Sequence, residues 1–92
     1  MFDPDTVHIL LTYLGFQSRK DTGSNVGLNK DTFILPLLEK RKNDLGLEIN
    51  LLYVLNKAVE LQILVRDAEQ YSFTHEIYQE FFAAEYLKST IN

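Results

Sequence analysis

Ninety-two residues, 46% of them hydrophobic, make one small globular domain with a single core and exclude a disordered chain. Nine basic residues against thirteen acidic ones leave a net charge of −4, the opposite of the electrostatic footprint of a nucleic-acid binder. With no cysteine and only two histidines, far apart, disulfides and zinc-ligand spacing are excluded, and no run approaches the ~18 to 20 apolar residues of a membrane span. The start Met1-Phe2-Asp3-Pro4-Asp5 lacks the basic opening of a secretory signal, so a soluble cytoplasmic protein without a membrane partner is expected.

In chain order, Asp3-Pro4 suits a helix opening, with Asp as N-cap and Pro at the first helical position, where its missing N–H costs nothing. Val7, Leu10, Leu11 and Leu14 follow at helical spacing, widened by Ile9, Tyr13 and Phe16, and the helix is expected to run to about Ser18. Residues 19–27 are polar and glycine-bearing and read as a loop. They contain no G-x-x-x-x-G-K-[ST] and follow no apolar strand, so they are not a phosphate-binding loop. Residues 26–29 can form a very short strand.

Asp31 or Thr32 can cap a second helix carrying Phe33, Ile34, Leu37 and Leu38, with Pro36 tolerable in its first turn. Lys40-Arg41-Lys42 places positive charge near its C-terminus, where the helix dipole favours it, and residues 43–46 break the chain. Residues 47–62 read as a third helix with Leu51, Leu55 and Ala58 in line, Leu52 and Val59 beside them, and Asn50, Asn56, Lys57 and Glu60 outside. Residues 63–66 and 71–73 read as strands joined by a turn over 67–70. Thr74 is placed to cap a final helix whose first turn holds Glu76.

This order predicts a mainly α fold with a small β-hairpin, a winged helix arranged H1-S1-H2-H3-S2-wing-S3-H4, in which the second and third helices form a helix-turn-helix pair. In the last helix Ile77, Phe81 and Ala84 make one row and Tyr78 and Phe82 another, with Ala83, Tyr86 and Leu87 elsewhere around the circumference. Glu85 falls within the aromatic sector, where full burial would be costly without a partner. So wide an apolar surface implies that part of the helix faces another domain or subunit. His75 stands at the strand-to-helix junction, where unpaired backbone N–H groups and the helix dipole favour an anion.

The run Tyr71-Ser72-Phe73-Thr74-His75-Glu76-Ile77-Tyr78-Gln79-Glu80-Phe81-Phe82-Ala83-Ala84-Glu85-Tyr86-Leu87 closely resembles the F-x-H-x-x-x-Q-E-[FY]-[FL]-A-A-x-Y-[IL] signature. That signature closes the winged-helix domain of NACHT-type STAND NTPases, signal-transduction ATPases that include NOD-like receptors and bacterial and archaeal relatives with defence roles. The resemblance implies that residues 1–92 are one winged-helix domain of a longer NACHT/STAND protein, or a short relative that has lost the ATPase. It implies docking on the nucleotide-binding and helical domains of the same parent chain, and homo-oligomerisation when ADP is exchanged for ATP. His75 would contact the β-phosphate as a nucleotide-state sensor, while Gln79, Glu80, Phe81, Phe82 and Tyr86 would serve interdomain packing and hydrogen bonding. The chain has no Walker A motif and no acidic Walker B strand, so the expectation is a non-enzymatic module with no cofactor of its own, ADP or ATP with magnesium belonging to the parent.

Without the resemblance, His75 reads as a helix-start histidine held by local hydrogen bonds, and His8 as a surface or boundary residue. The alternatives are a winged-helix DNA-binding regulator and a plain protein-interaction module. The first would lay residues 47–62 in the major groove with Arg66 on phosphate, but that helix offers only Lys57 against Glu48 and Glu60.

Overall fold

The structure, a computed structural model, describes residues 4–23 and 27–91. The expected Asp3 cap and the strand position at Val26 lie outside the described residues. The first helix, α1 (Pro4–Thr22), opens on Pro4 as expected but runs past Ser18 to Thr22. The stop is Gly23, whose φ of 76° lies in the left-handed region and whose N–H donates to Arg19 O at 2.8 Å. The extra turn puts Arg19 and Lys20 at the negative end of the helix dipole and lets Thr22 Oγ1 donate to Ser18 O at 2.6 Å.

Strand β1 (Leu28–Asn29) follows, and its last residue caps what comes next. Asn29 Oδ1 accepts the N–H groups of Asp31 and Thr32, each at 2.9 Å, so the two expected capping residues are instead the capped ones. Residues Lys30–Ile34 wind as one wide π-helical turn before α2 (Leu35–Leu45), which carries Pro36 in its first turn as the sequence requires. At the other end Gly46, φ 66°, closes a Schellman motif: its N–H donates to Asn43 O at 3.2 Å and that of Leu47 to Lys42 O at 2.9 Å.

The third helix, α3 (Leu51–Glu60), starts later than residue 47 and ends before residue 62. Asn50, expected on its outer face, is its cap, with Oδ1 accepting from Leu52 N–H at 2.9 Å and Tyr53 N–H at 3.3 Å. An asparagine satisfies more backbone donors at a helix start than inside one, and the boundary moves to it. The helix closes on a second Schellman motif with Gln62 in the left-handed position, φ 64°, and hydrogen bonds to Val59 O at 3.0 Å and from Ile63 N–H to Ala58 O at 2.9 Å.

A two-residue turn at Ala68-Glu69 joins β2 (Leu64–Asp67) to β3 (Gln70–Phe73), pairing Leu64 with Phe73 and Asp67 with Gln70. Strand β3 is central, since β1 pairs antiparallel along its other edge and gives the order β1-β3-β2. Lys30 pins the turn to the rest of the sheet, its N–H donating to Glu69 O at 2.8 Å and its ammonium meeting Glu69 Oε2 at 3.1 Å. The last helix is α4 (Glu76–Ile91). The fold is thus mainly helical with a small three-stranded antiparallel sheet, the short first strand completing the hairpin.

Leu10, Leu11 and Leu14 of α1 are buried with Ile34, Leu38 of α2, Val54, Leu55 and Ala58 of α3, Leu64 and Phe73 of the sheet, and Phe82 of α4. Helix α4 lies along α1 so closely that a Cβ at Gly15 would stand 2.8 Å from Phe82 Cβ and 3.2 Å from Gln79 O. This close seating of α4 decides which of its side chains are spent inside the domain.

Candidate functional site

The junction between β3 and α4 is fixed from both sides. Phe73 ends the strand buried in the core, and Thr74 N–H donates to Ile63 O at 2.9 Å, tying the junction to the chain entering β2. His75 follows, exposed, as the residue immediately before the helix. Its carbonyl accepts Tyr78 N–H at 2.9 Å and its ring lies 5.6 Å from the Tyr78 ring at 52°. The N–H groups before Tyr78 in the first turn lack intrahelical acceptors by the geometry of any helix start, and His75 immediately precedes them in the chain.

The five residues expected at an interdomain surface divide between the inside and the outside of this domain. Gln79 is only 1% exposed, and its Nε2 donates to Ser18 Oγ at 3.0 Å, which in turn donates to Gly15 O at 3.2 Å. Its polar end therefore serves the α1–α4 seam. Phe82 is buried, with His8 edge-on at 5.6 Å, Phe81 at 5.3 Å and Phe73 at 6.1 Å. Half-buried Tyr86 stacks on Phe16 at 4.6 Å and neighbours Tyr13 at 5.5 Å. The Arg41 guanidinium from α2 lies over both tyrosine rings, 5.1 Å from Tyr13 and 5.4 Å from Tyr86, and joins three helices through one cation. Glu85 is half-buried beside this cluster in sequence.

Glu80 and Phe81 remain outside. Glu80 pairs with Arg19 at 3.6 Å, and the same guanidinium reaches Glu76 at 4.0 Å, partly neutralising two carboxylates next to the His75 junction. The sequence alone places Arg19 in a loop; the signal that finds it is its position as a last-turn cation of an α1 that runs to Thr22. Phe81, half exposed, joins Ile77 (67% exposed) and Tyr78 (38%). Together with Phe82 and Ile63 they line an apolar groove of about 390 Å³ that begins two residues beyond His75. Ile77 and Tyr78 carry a helical signal in the sequence, whereas Ile63 is held at the groove by backbone bonds on both sides, its N–H donating to Ala58 O and its carbonyl accepting from Thr74 N–H, each at 2.9 Å.

Elsewhere the surface offers less. On α3 the exposed side chains are Leu52, Tyr53, Asn56 and Glu60, and Lys57 is engaged with Glu60 at 3.3 Å. Among the described residues no three His, Cys, Asp or Glu side chains are placed to hold a metal ion, and no helix is long and apolar enough to cross a membrane. No protein-family model, curated protein or solved structure matches the chain.

Proposed function

We propose that this chain is the regulatory winged-helix module of a NACHT-type STAND signalling ATPase, cytoplasmic and itself without catalytic residues. It docks on a nucleotide-binding domain and distinguishes ADP from ATP through His75. The observation that carries the reading is the exposed imidazole just before α4, set beside an apolar groove whose Ile77, Tyr78 and Phe81 lie outside the domain's own core. A phosphate approaching the junction meets the imidazole and the first-turn N–H groups, with Glu76 and Glu80 offset by Arg19. The groove residues Ile63, Ile77, Tyr78 and Phe81 supply the apolar contact that would hold the neighbouring domain in place. The winged-helix assignment is supported by the order of the elements and by β3 lying between β1 and β2.

The DNA-binding alternative draws no such support, because the exposed face of α3 carries two apolar side chains and an acid, and its one lysine is already paired. The proposal requires a Walker A motif upstream in the same reading frame or in a partner chain. In the ATPase so defined, His75→Ala is expected to accelerate ADP release at least ~10-fold, the loss of a charge-assisted hydrogen bond to phosphate. An unchanged ADP off-rate would remove the sensor role.

A further inference from the structure

Two carboxylates lie next to the junction where a phosphate is proposed to arrive. Glu76 is the first residue of α4 and immediately follows His75, and Glu80 stands one turn further along the same face. A first-turn acid suits the helix dipole of the domain alone, but it repels an arriving phosphate. Arg19 meets both acids, Nη1 4.0 Å from Glu76 and Nη2 3.6 Å from Glu80, and among the described residues no other cation pairs with either. The α1–α4 seam sets this placement. Gln79, between the two acids in sequence, is buried and donates to Ser18 Oγ at 3.0 Å, so the residue after Ser18 is carried to Glu76 and Glu80. Both separations exceed hydrogen-bond length, and Nη1 is shielded from solvent without a hydrogen-bond partner, so the guanidinium acts on the acids through its charge.

We infer that Arg19 is a positioning residue for phosphate binding: its charge holds down the repulsion from Glu76 and Glu80 and lets a nucleoside diphosphate reach the start of α4. The inference rests on the nucleotide-sensing reading and adds to it a residue outside the closing signature, on the first helix of the chain. Without Arg19 the junction sets two uncompensated carboxylates against one imidazole, and a strongly anionic ligand is pushed away. Once the acids are neutralised, Arg19 is no longer needed. All three side chains are partly exposed, so the contribution is modest and screened by salt.

ADP titrations of the whole chain, followed by NMR at the His75 ring and the amides of residues 76 and 77, test this at low and at high salt. Arg19→Gln is expected to weaken ADP binding about 5-fold at ~20 mM salt and less than ~2-fold at ~0.5 M. Arg19→Lys, which keeps the charge, should retain most of the affinity. Glu76→Gln with Glu80→Gln in the Arg19→Gln chain should bring the affinity back at least to that of the wild type, an outcome that a packing role for Arg19 does not produce. Unchanged amide signals away from the junction establish that each variant folds. Wild-type affinity in Arg19→Gln at low salt, or a loss that neither Arg19→Lys nor the neutralised acids restore, would overturn the inference. A wild-type chain whose His75 signals ignore ADP removes the nucleotide reading and this inference with it, whereas a wild-type response that Arg19→Gln leaves intact removes this inference alone.

Discussion

Gln62 occupies the left-handed closing position of α3 that Gly46 fills at the end of α2, with the same pair of hydrogen bonds around it. A residue with a Cβ carries a steric cost there that glycine does not. We expect Gln62→Gly to stabilise the chain by about 1 kcal/mol in urea unfolding, the sign opposite to that of glycine inside a helix. The Lys30–Glu69 pair makes a second residue-scale case. The side-chain hydrogen bond to Glu69, and after it the charge of that carboxylate, holds the Lys30 ammonium above its usual pKa. A base whose pKa is raised by folding contributes stability below its unfolded value, and that contribution disappears as pH rises through the folded one. Glu69→Gln should therefore lower the melting temperature at neutral pH, and the difference from the wild type should shrink above pH ~10.5, the ordinary lysine range. It should also shrink in high salt, as for any exposed pair. At this scale the sequence displayed His75 at its junction plainly, because a strand alternation and a helical period meet there. It did not display the caps. Asp31, Thr32 and Asn29 are all competent cap residues, and only the pairing of Leu28 and Asn29 with β3 selects Asn29.

Among the elements, the seam between α1 and α4 carries the most consequence. Gly15 is a helix-interior glycine, a position where alanine ordinarily gains about 1 kcal/mol. Here the added Cβ would stand 2.8 Å from Phe82 Cβ and 3.2 Å from two α4 backbone atoms, so the helices must separate. We expect Gly15→Ala to destabilise by roughly 1 to 3 kcal/mol, the cost of overpacking exceeding the propensity gain. Gln79→Ala removes both a buried volume and the donor to Ser18 Oγ and should cost about 2 to 4 kcal/mol. That loss would appear in unfolding experiments on the chain alone, which separates a seam residue from one reserved for a neighbour. The positions of all four helices were legible from apolar periodicity, while their ends moved by up to four residues. Helix ends are decided by which backbone donors and acceptors find a partner, as at Asn50 and Gly23, and periodicity does not record that.

At the scale of the molecule, α4 is too apolar for the domain that holds it. The core takes Phe82 and Gln79, the Tyr13–Arg41–Tyr86 cluster takes another face, and Ile77, Tyr78 and Phe81 are left outside beside His75. The sequence revealed the excess through the apolar residues all round the helical wheel. It could not say which faces were spent, since that depends on Gly15 letting α4 sink onto α1. The central claim is that the exposed junction at His75 recognises the phosphates of a nucleotide, and the most direct measurement is an ADP titration of the isolated chain followed at the His75 imidazole and the first-turn amides of α4 by NMR. The account predicts that millimolar ADP shifts the His75 ring signals and the Glu76 and Ile77 amides together, that adenosine leaves them in place, and that His75→Ala abolishes the amide response. Identical shifts with adenosine, or perturbations that miss His75 while ADP is in millimolar excess, would contradict it.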